Sequence, residues 1–179
     1  MKQISHLIKE IVPVIMGILI ALFINNWNED RKDKEYLDQI LSSIEKELEE
    51  SNTELKQVIP RQLASMDTIA SYFNNDAVSL YNIMIKGNGI QMPRIKTNSW
   101  NALANSRIEL IEYEQLSALA DIEERKENLT LRIEKQMEFI FQNFEKGDRN
   151  KKIILHMMTD DIVNAEKELQ SQIEEILKK

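Results

Sequence analysis

An uninterrupted apolar run near the N-terminus is the strongest pattern in the chain. It extends from Ile11 to Ile24 without a charged residue. A helix over this run alone would cover about 21 Å, which is less than the roughly 30 Å of hydrocarbon in a bilayer. Extending the helix from Ile4 to Trp27 gives about 36 Å, enough to cross with tilt, and tryptophan favours the membrane–water interface. The pattern therefore predicts a single transmembrane anchor within residues 1–28.

Two other kinds of segment, a buried core helix and a signal peptide, show the same apolar pattern. A run of this length is often a buried core helix, and a basic N-terminus before an apolar run is typical of a signal peptide. No small-x-small cleavage site follows Ala21, so an uncleaved anchor fits better. A carboxylate at the edge of the run would be costly in lipid, so Glu10 should be protonated, reach the interface beside Lys9, or pair with a partner helix. The predicted anchor residues are Glu10, Gly17, Leu22, Asn25, Asn26 and Trp27.

Apolar side chains recur at helical spacing after the anchor. In the first such stretch they lie three, four or seven positions apart, at Leu37, Leu41, Ile44, Leu48, Leu55 and Val58. Pro60 is expected to kink this helix or to start a new segment at Arg61. The chain has only 4 glycines and 3 prolines, which favours long helices over β structure. We predict an all-α protein, in which the anchor is followed by an antiparallel bundle of about four helices in residues 29–179.

An irregular loop is predicted near residues 86–99. It begins with a Lys-Gly-Asn-Gly turn, and Pro93 favours extended backbone in the residues around it. Beyond the loop, a long helix is expected from about Glu109 to Lys146. Gly147 in the left-handed conformation should end that helix, and Thr159 should cap the start of a final one.

The same loop carries the cations that are candidates for binding. Lys86, Arg94, Lys96 and Arg107 have no acidic residue between them, although the protein as a whole has a net charge of −7. With Trp100 nearby, they form a candidate contact surface for a ligand or partner, since loops on a rigid scaffold often carry binding. In the alternative interpretation Trp100 closes the end of the bundle and the cations are solvated. The acidic balance argues against nucleic acid as a partner.

The sequence contains no recognisable catalytic motif. The chain has no cysteine, and no P-loop, dinucleotide fingerprint or nucleophile motif is present. His156 with Asp160 and Asp161 could offer metal ligands one helical turn apart, but a cap at Thr159 would break that turn and the ligands are too few. We therefore predict no enzyme, no catalytic residue, no cofactor and no metal site.

The sequence also resembles a known family. Residues 10–31 read EIVPVIMGILIALFINNWNEDR, and residues 17–22 and 24–29 follow the family pattern GILIAL-x-INNWNE. This is similar to an uncharacterised family of small single-pass bacterial membrane proteins, from which Pro13 is a departure. A second patch, WNALANSRIELI at residues 100–111, is similar to the same family. The resemblance implies membrane anchoring and a helical domain, and it implies no known catalysis.

These observations predict a membrane-anchored, non-enzymatic interaction protein, an accessory or scaffolding subunit of a bacterial envelope complex. Its expected partners are membrane lipid and either another protein or further copies of itself. Basic residues flank the apolar run on both sides, so charge alone does not set its orientation. A short tail kept in the cytoplasm would place the anchor in the inner membrane and the bundle in the periplasm. The alternative function is a ligand-sensing bundle that binds an anion or peptide at residues 86–107.

Overall fold

The computed structural model describes the backbone of residues 2–178 and the side chains of residues 12–178. Within them every regular element is a helix and no strand occurs, which confirms the all-α class. Its contacts divide it into two units, Met1–Ser42 and Ser43–Lys179. The helices are α1 (Lys2–Ser71), α2 (Leu80–Lys86), α3 (Asn98–Ser106), α4 (Tyr113–Gln142) and α5 (Arg149–Ile176), with a short 3₁₀ helix at Ile108–Leu110.

The first unit is a helical stretch, the N-terminal part of α1. Every described side chain from residue 12 to residue 27 is exposed, including Phe23 at 72% and Trp27 at 64%. Beyond this apolar run the surface is charged. Asn25 Nδ2 donates to Glu29 Oε1 over 3.2 Å, so the polar surface begins directly at the end of the run.

In the second unit, the C-terminal part of α1, α4 and α5 supply the long helical segments. α4 and α5 are antiparallel, because Arg125 pairs with Glu168 near one end of the pair and Gln136 bonds to Thr159 further along. Their buried faces supply much of the apolar core: Leu119, Ile122, Leu129, Ile133 and Ile140 from α4, and Leu155, Ile162, Val163, Leu169 and Ile173 from α5.

The C-terminal part of α1 packs antiparallel to α5. Lys56 Nζ lies 3.0 Å from Glu174 Oε1, and Gln62 Nε2 donates to Glu166 Oε1 over 2.6 Å. Burial of apolar faces at the α1–α5 and α4–α5 contacts is what amphipathic helices need. The predicted bundle of four helices is not confirmed. The remaining helices of the described chain, α2 and α3, have only seven and nine residues.

Pro60 does not end a helix, since α1 continues through it to Ser71. Of the two predicted outcomes, a new segment at Arg61 is therefore wrong, and a kink at Pro60 stays a prediction. Val58 and Ile59 are buried in the core, while Pro60 itself is exposed. Packing of the apolar face holds the helix on both sides of the proline. The carbonyl that loses its amide partner can instead be hydrated on the solvent side.

The connection between α4 and α5 differs from the expected one. α4 begins at Tyr113 and ends at Gln142, inside the predicted limits, and α5 begins ten residues before Thr159. Asp148 is the observed N-cap of α5. The predicted cap at Thr159 was wrong because this side chain is buried in mid-helix. Its hydroxyl donates to the Leu155 carbonyl over 2.8 Å and accepts from Gln136 Nε2 over 2.8 Å.

Glycine at position 147 is explained by close packing. Among the described residues, positive φ occurs at Asn88 (64°) and Gly89 (76°), which confirms the predicted turn at residues 86–89. Gly147 is not in the left-handed conformation, so that prediction was wrong. A Cβ added to Gly147 would lie 2.2 Å from the carbonyl oxygen of Asp76, and only glycine permits this approach.

The segment between α2 and α3 is extended and lies along α1. The Lys96 amide donates to Ser51 Oγ over 2.9 Å, and the Ser99 amide donates to a carboxylate oxygen of Glu47 over 3.0 Å. Exposure alternates along the segment, with exposed residues at 92, 94 and 96 and buried or partly buried residues at 93, 95 and 97. This alternation is typical of extended backbone with one face against the protein, and it exposes Arg94 and Lys96 to solvent.

Candidate functional site

One helix in the described part of the chain is long and apolar enough to cross a membrane. It is α1, whose 18-residue window near the N-terminus has a mean hydropathy of 1.3, with 0% of the window buried. The core helix of a soluble protein passes the same test of length and composition, but it would be mostly buried inside its own fold. The exposure of this window shows that it is not a core helix of the described fold, whereas a signal sequence near the N-terminus would pass the same test.

The predicted anchor residues with described side chains all lie on the exposed part of α1. Leu22 and Trp27 are both more than half exposed, and Asn25 and Asn26 lie beside Trp27 at the end of the apolar run. A Cβ added to Gly17 would have no atom within 4 Å, so packing within this chain does not require glycine there. The side chain of Glu10 lies outside the described side chains, and its role stays a prediction.

The loop cations do not form one cluster. Lys86 Nζ donates to the Tyr72 hydroxyl over 2.8 Å and lies 4.5 Å from the centre of that ring. Lys96 pairs instead with Glu50 on α1. Because Tyr72 and Glu50 are 22 positions apart in or next to one helix, these cations are separated by about 30 Å. A hydrogen bond from Lys96, supported by its charge, lowers the pKa of Glu50.

The other residues of the predicted contact surface have different surroundings. Trp100 is only 7% exposed and belongs to the core, so its side chain is not available as a surface contact. Arg107 Nε lies 2.9 Å from Glu109 Oε1. Arg94 is exposed and makes no hydrogen bond or ion pair with the described residues. Binding at any of these residues stays a prediction, and Arg94 is the cation best placed for it.

A buried carboxyl lies in the core of the second unit, and sequence reasoning missed it. Glu166 is 0% exposed, and its Oε2 has no hydrogen-bond partner among the described residues. Burial raises the pKa of Glu166 to about 8, although the hydrogen bond from Gln62 opposes the shift. Its only sequence signal was a glutamate at a helical spacing of three and four from Val163 and Ile162 on the apolar stripe of α5.

The candidate metal ligands have other contacts. Since α5 is continuous through Thr159, His156 and Asp160 do share a helical turn. The His156 ring packs edge-on against Phe73 with centroids 5.5 Å apart, and Asp161 pairs with Arg132. No group of three or more metal-ligating side chains occurs among the residues whose side chains are described.

Comparison with known proteins adds a family but no activity. No curated protein and no solved structure matches the chain. A family model does match residues 10–86, a stretch that contains the GILIAL and INNWNE sequences. The second patch, residues 100–111, lies outside the matched stretch. The predicted resemblance to an uncharacterised family is thus confirmed: residues 10–86 match the model of a family of unknown function, DUF6090.

Proposed function

We propose that this protein is a membrane-anchored, non-enzymatic interaction protein that serves as an accessory or scaffolding subunit of a bacterial envelope complex. The observation that carries the proposal is the exposed apolar face of α1 from Val12 to Trp27. The anchor would lie in the inner membrane, with the second unit on the periplasmic side.

Exposure of this face to water would be costly. Removing one large apolar side chain from water is worth about 1.5–3 kcal/mol. The exposed face carries Val12, Val14, Ile15, Met16, Ile18, Leu19, Ile20, Leu22, Phe23 and Ile24. Even with partial burial, transfer of these side chains into hydrocarbon gains on the order of 10 kcal/mol. A bilayer supplies that environment along the whole circumference of the helix.

Helix length is compatible with a span. α1 is helical from Lys2 onward, so its first 26 residues, Lys2 to Trp27, rise by about 39 Å. That length exceeds the hydrocarbon thickness of about 30 Å. Trp27 then lies at a depth suited to an interfacial aromatic residue, and the charged surface from Glu29 onward lies outside the hydrocarbon.

The second unit supports an interaction role. Its surface carries large apolar side chains with high exposure, among them Tyr113 at 80%, Phe141 at 67% and Met157 at 65%. Aromatic residues and methionine are enriched in protein–protein interfaces. The proposed partner is a second protein of the envelope or further copies of this chain.

Membrane fractionation tests the anchor. The full-length chain should sediment with membranes, resist extraction at alkaline pH and dissolve in detergent. Replacing Ile15, Leu19 and Phe23 together by arginine places three charges in the span at a cost of about 3 kcal/mol each on an insertion scale. This cost is comparable with the gain on the order of 10 kcal/mol from burying the apolar face, so the triple variant should shift out of the membrane fraction. Met157→Arg makes the same kind of change on exposed α5 and should leave fractionation unchanged. A wild-type chain that stays dispersed without detergent would overturn the proposal.

Purification in a mild detergent tests the interaction role. Size-exclusion chromatography with light scattering should show either a stoichiometric partner or a defined oligomer of this chain. A detergent-bound monomer that never acquires a partner would contradict a scaffolding role. A reporter fused to the C-terminus and active only in the periplasm would test the orientation.

A further inference from the structure

A groove lies between the extended segment 92–95 and the face of α4 that carries Lys126, Leu129, Thr130 and Ile133. We call it the loop groove. It encloses about 380 Å³, which is at the lower end of the range for small-molecule sites. Its lining residues are Met92, Pro93, Arg94, Ile95, Lys126, Leu129, Thr130 and Ile133.

The floor of the loop groove is apolar. Pro93, Leu129 and Ile133 lie buried beneath it, so the apolar surface that an occupant can reach comes chiefly from Met92 and Ile95. Met92 is 53% exposed at the rim, where its flexible side chain can adapt to an occupant. A surface of this kind favours a hydrocarbon chain over a polar ligand.

The two cations of the loop groove differ in their availability. Lys126 Nζ donates to Thr97 Oγ1 over 2.7 Å and to Glu123 Oε1 over 3.1 Å, so its charge is already balanced by a carboxylate. Arg94 makes no hydrogen bond or ion pair with the described part of the chain, and its guanidinium is exposed. The groove therefore has one unbalanced positive charge.

The single unbalanced charge of Arg94 indicates which polar group a ligand in the groove should carry. A guanidinium binds a carboxylate through two parallel hydrogen bonds. A doubly charged phosphate would bring a second negative charge toward Glu123, whose Oε2 is buried without a hydrogen-bond partner among the described residues. A single carboxylate matches the single unbalanced cation better than a dianion does.

We propose that the loop groove binds a short alkyl carboxylate, with the chain on the apolar floor and the carboxylate on Arg94. The site would give the protein a fatty-acid ligand in addition to any protein partner. It depends on the second unit alone, so it does not rest on the membrane-anchoring proposal.

Methionine methyl NMR provides a local test with octanoate as the probe. The full-length chain, labelled with ¹³C at the methionine methyl groups, would be titrated in a neutral detergent. The Met92 signal should shift and saturate, whereas Met157, exposed on α5 and outside the groove, should not move. This comparison separates binding from partitioning of octanoate into detergent. An unmoved Met92 signal, or equal shifts at both residues, would overturn the site.

Changes of the head group and of the arginine test the charge assignment. Octanol, with the same chain and no charge, should bind at least about threefold more weakly, and octyl phosphate should not bind more tightly than octanoate. Arg94→Gln should weaken octanoate binding by a factor of about three to ten. Arg61→Gln removes the same charge from an exposed position outside the groove and should leave the affinity unchanged. Equal affinity of wild type and Arg94→Gln, or tighter binding of either analogue, would refute the carboxylate assignment.

Discussion

Replacing Glu166 by glutamine should remove a large part of the pH dependence of unfolding. This carboxyl is 0% exposed and accepts one hydrogen bond, from Gln62. Burial raises its pKa from 4.5 to about 8 in the folded protein. The protonated form is thus favoured by folding, and the neutral glutamine side chain has nearly the same shape and keeps an oxygen that can accept from Gln62.

The sign of the effect follows from the direction of the shift. The folded state binds the proton of Glu166 more tightly than the unfolded state does. The stabilisation that this proton contributes is therefore fully present below pH 4.5. It is lost as the pH rises through about 8. With 1.36 kcal/mol per pKa unit, this residue should lower the free energy of unfolding by about 3 kcal/mol between pH 5 and pH 8.

Urea unfolding of the full-length chain in neutral detergent would measure this term. Helical circular dichroism would be followed at several values between pH 5 and pH 8, for the wild type and for Glu166→Gln. The variant should be less pH-dependent by about 3 kcal/mol over this range. Glu175→Gln, at an exposed position on the same helix, is the matched control and should behave as wild type. Identical pH dependence of Glu166→Gln and wild type would show that Glu166 is hydrated or otherwise compensated, contrary to its burial.

Two further predictions concern the part of the second unit near the α4–α5 connection. Lys152 is 0% exposed and donates from Nζ to the Asn75 carbonyl over 2.6 Å, so Lys152→Ala should lower the free energy of unfolding by about 2 kcal/mol or more. The exposed Lys167→Ala control should stay within about 0.5 kcal/mol of wild type, and equal urea midpoints for the two variants would contradict the packing role. Gly147→Ala should cost about 1–3 kcal/mol in the same assay, because the new methyl group would force the backbone away from Asp76. Wild-type stability of this variant would mean that the loop yields without cost.

Local sequence patterns correctly predicted the features that depend only on residues adjacent in the sequence. The apolar run up to Ile24 predicted an exposed helix with the composition of a span, and helical periodicity predicted the all-α class. The Gly-rich turn at residues 86–89 was predicted correctly because its backbone conformation depends on the residues that occupy it. The family resemblance rested on the same contiguous segment and extends over residues 10–86.

Other features depended on contacts between residues far apart in the sequence. Pro60 and Thr159 carry local signals for a helix break and a helix cap, but burial of the surrounding apolar faces keeps both within continuous helices. Lys96 is paired because Glu50, distant in sequence, lies beside it. Arg94 is available because no acid among the described side chains forms an ion pair with it. A sequence specifies backbone preferences and apolar periodicity residue by residue. Which charges are neutralised, and which groups lose their water, depends on the faces that meet when the helices pack.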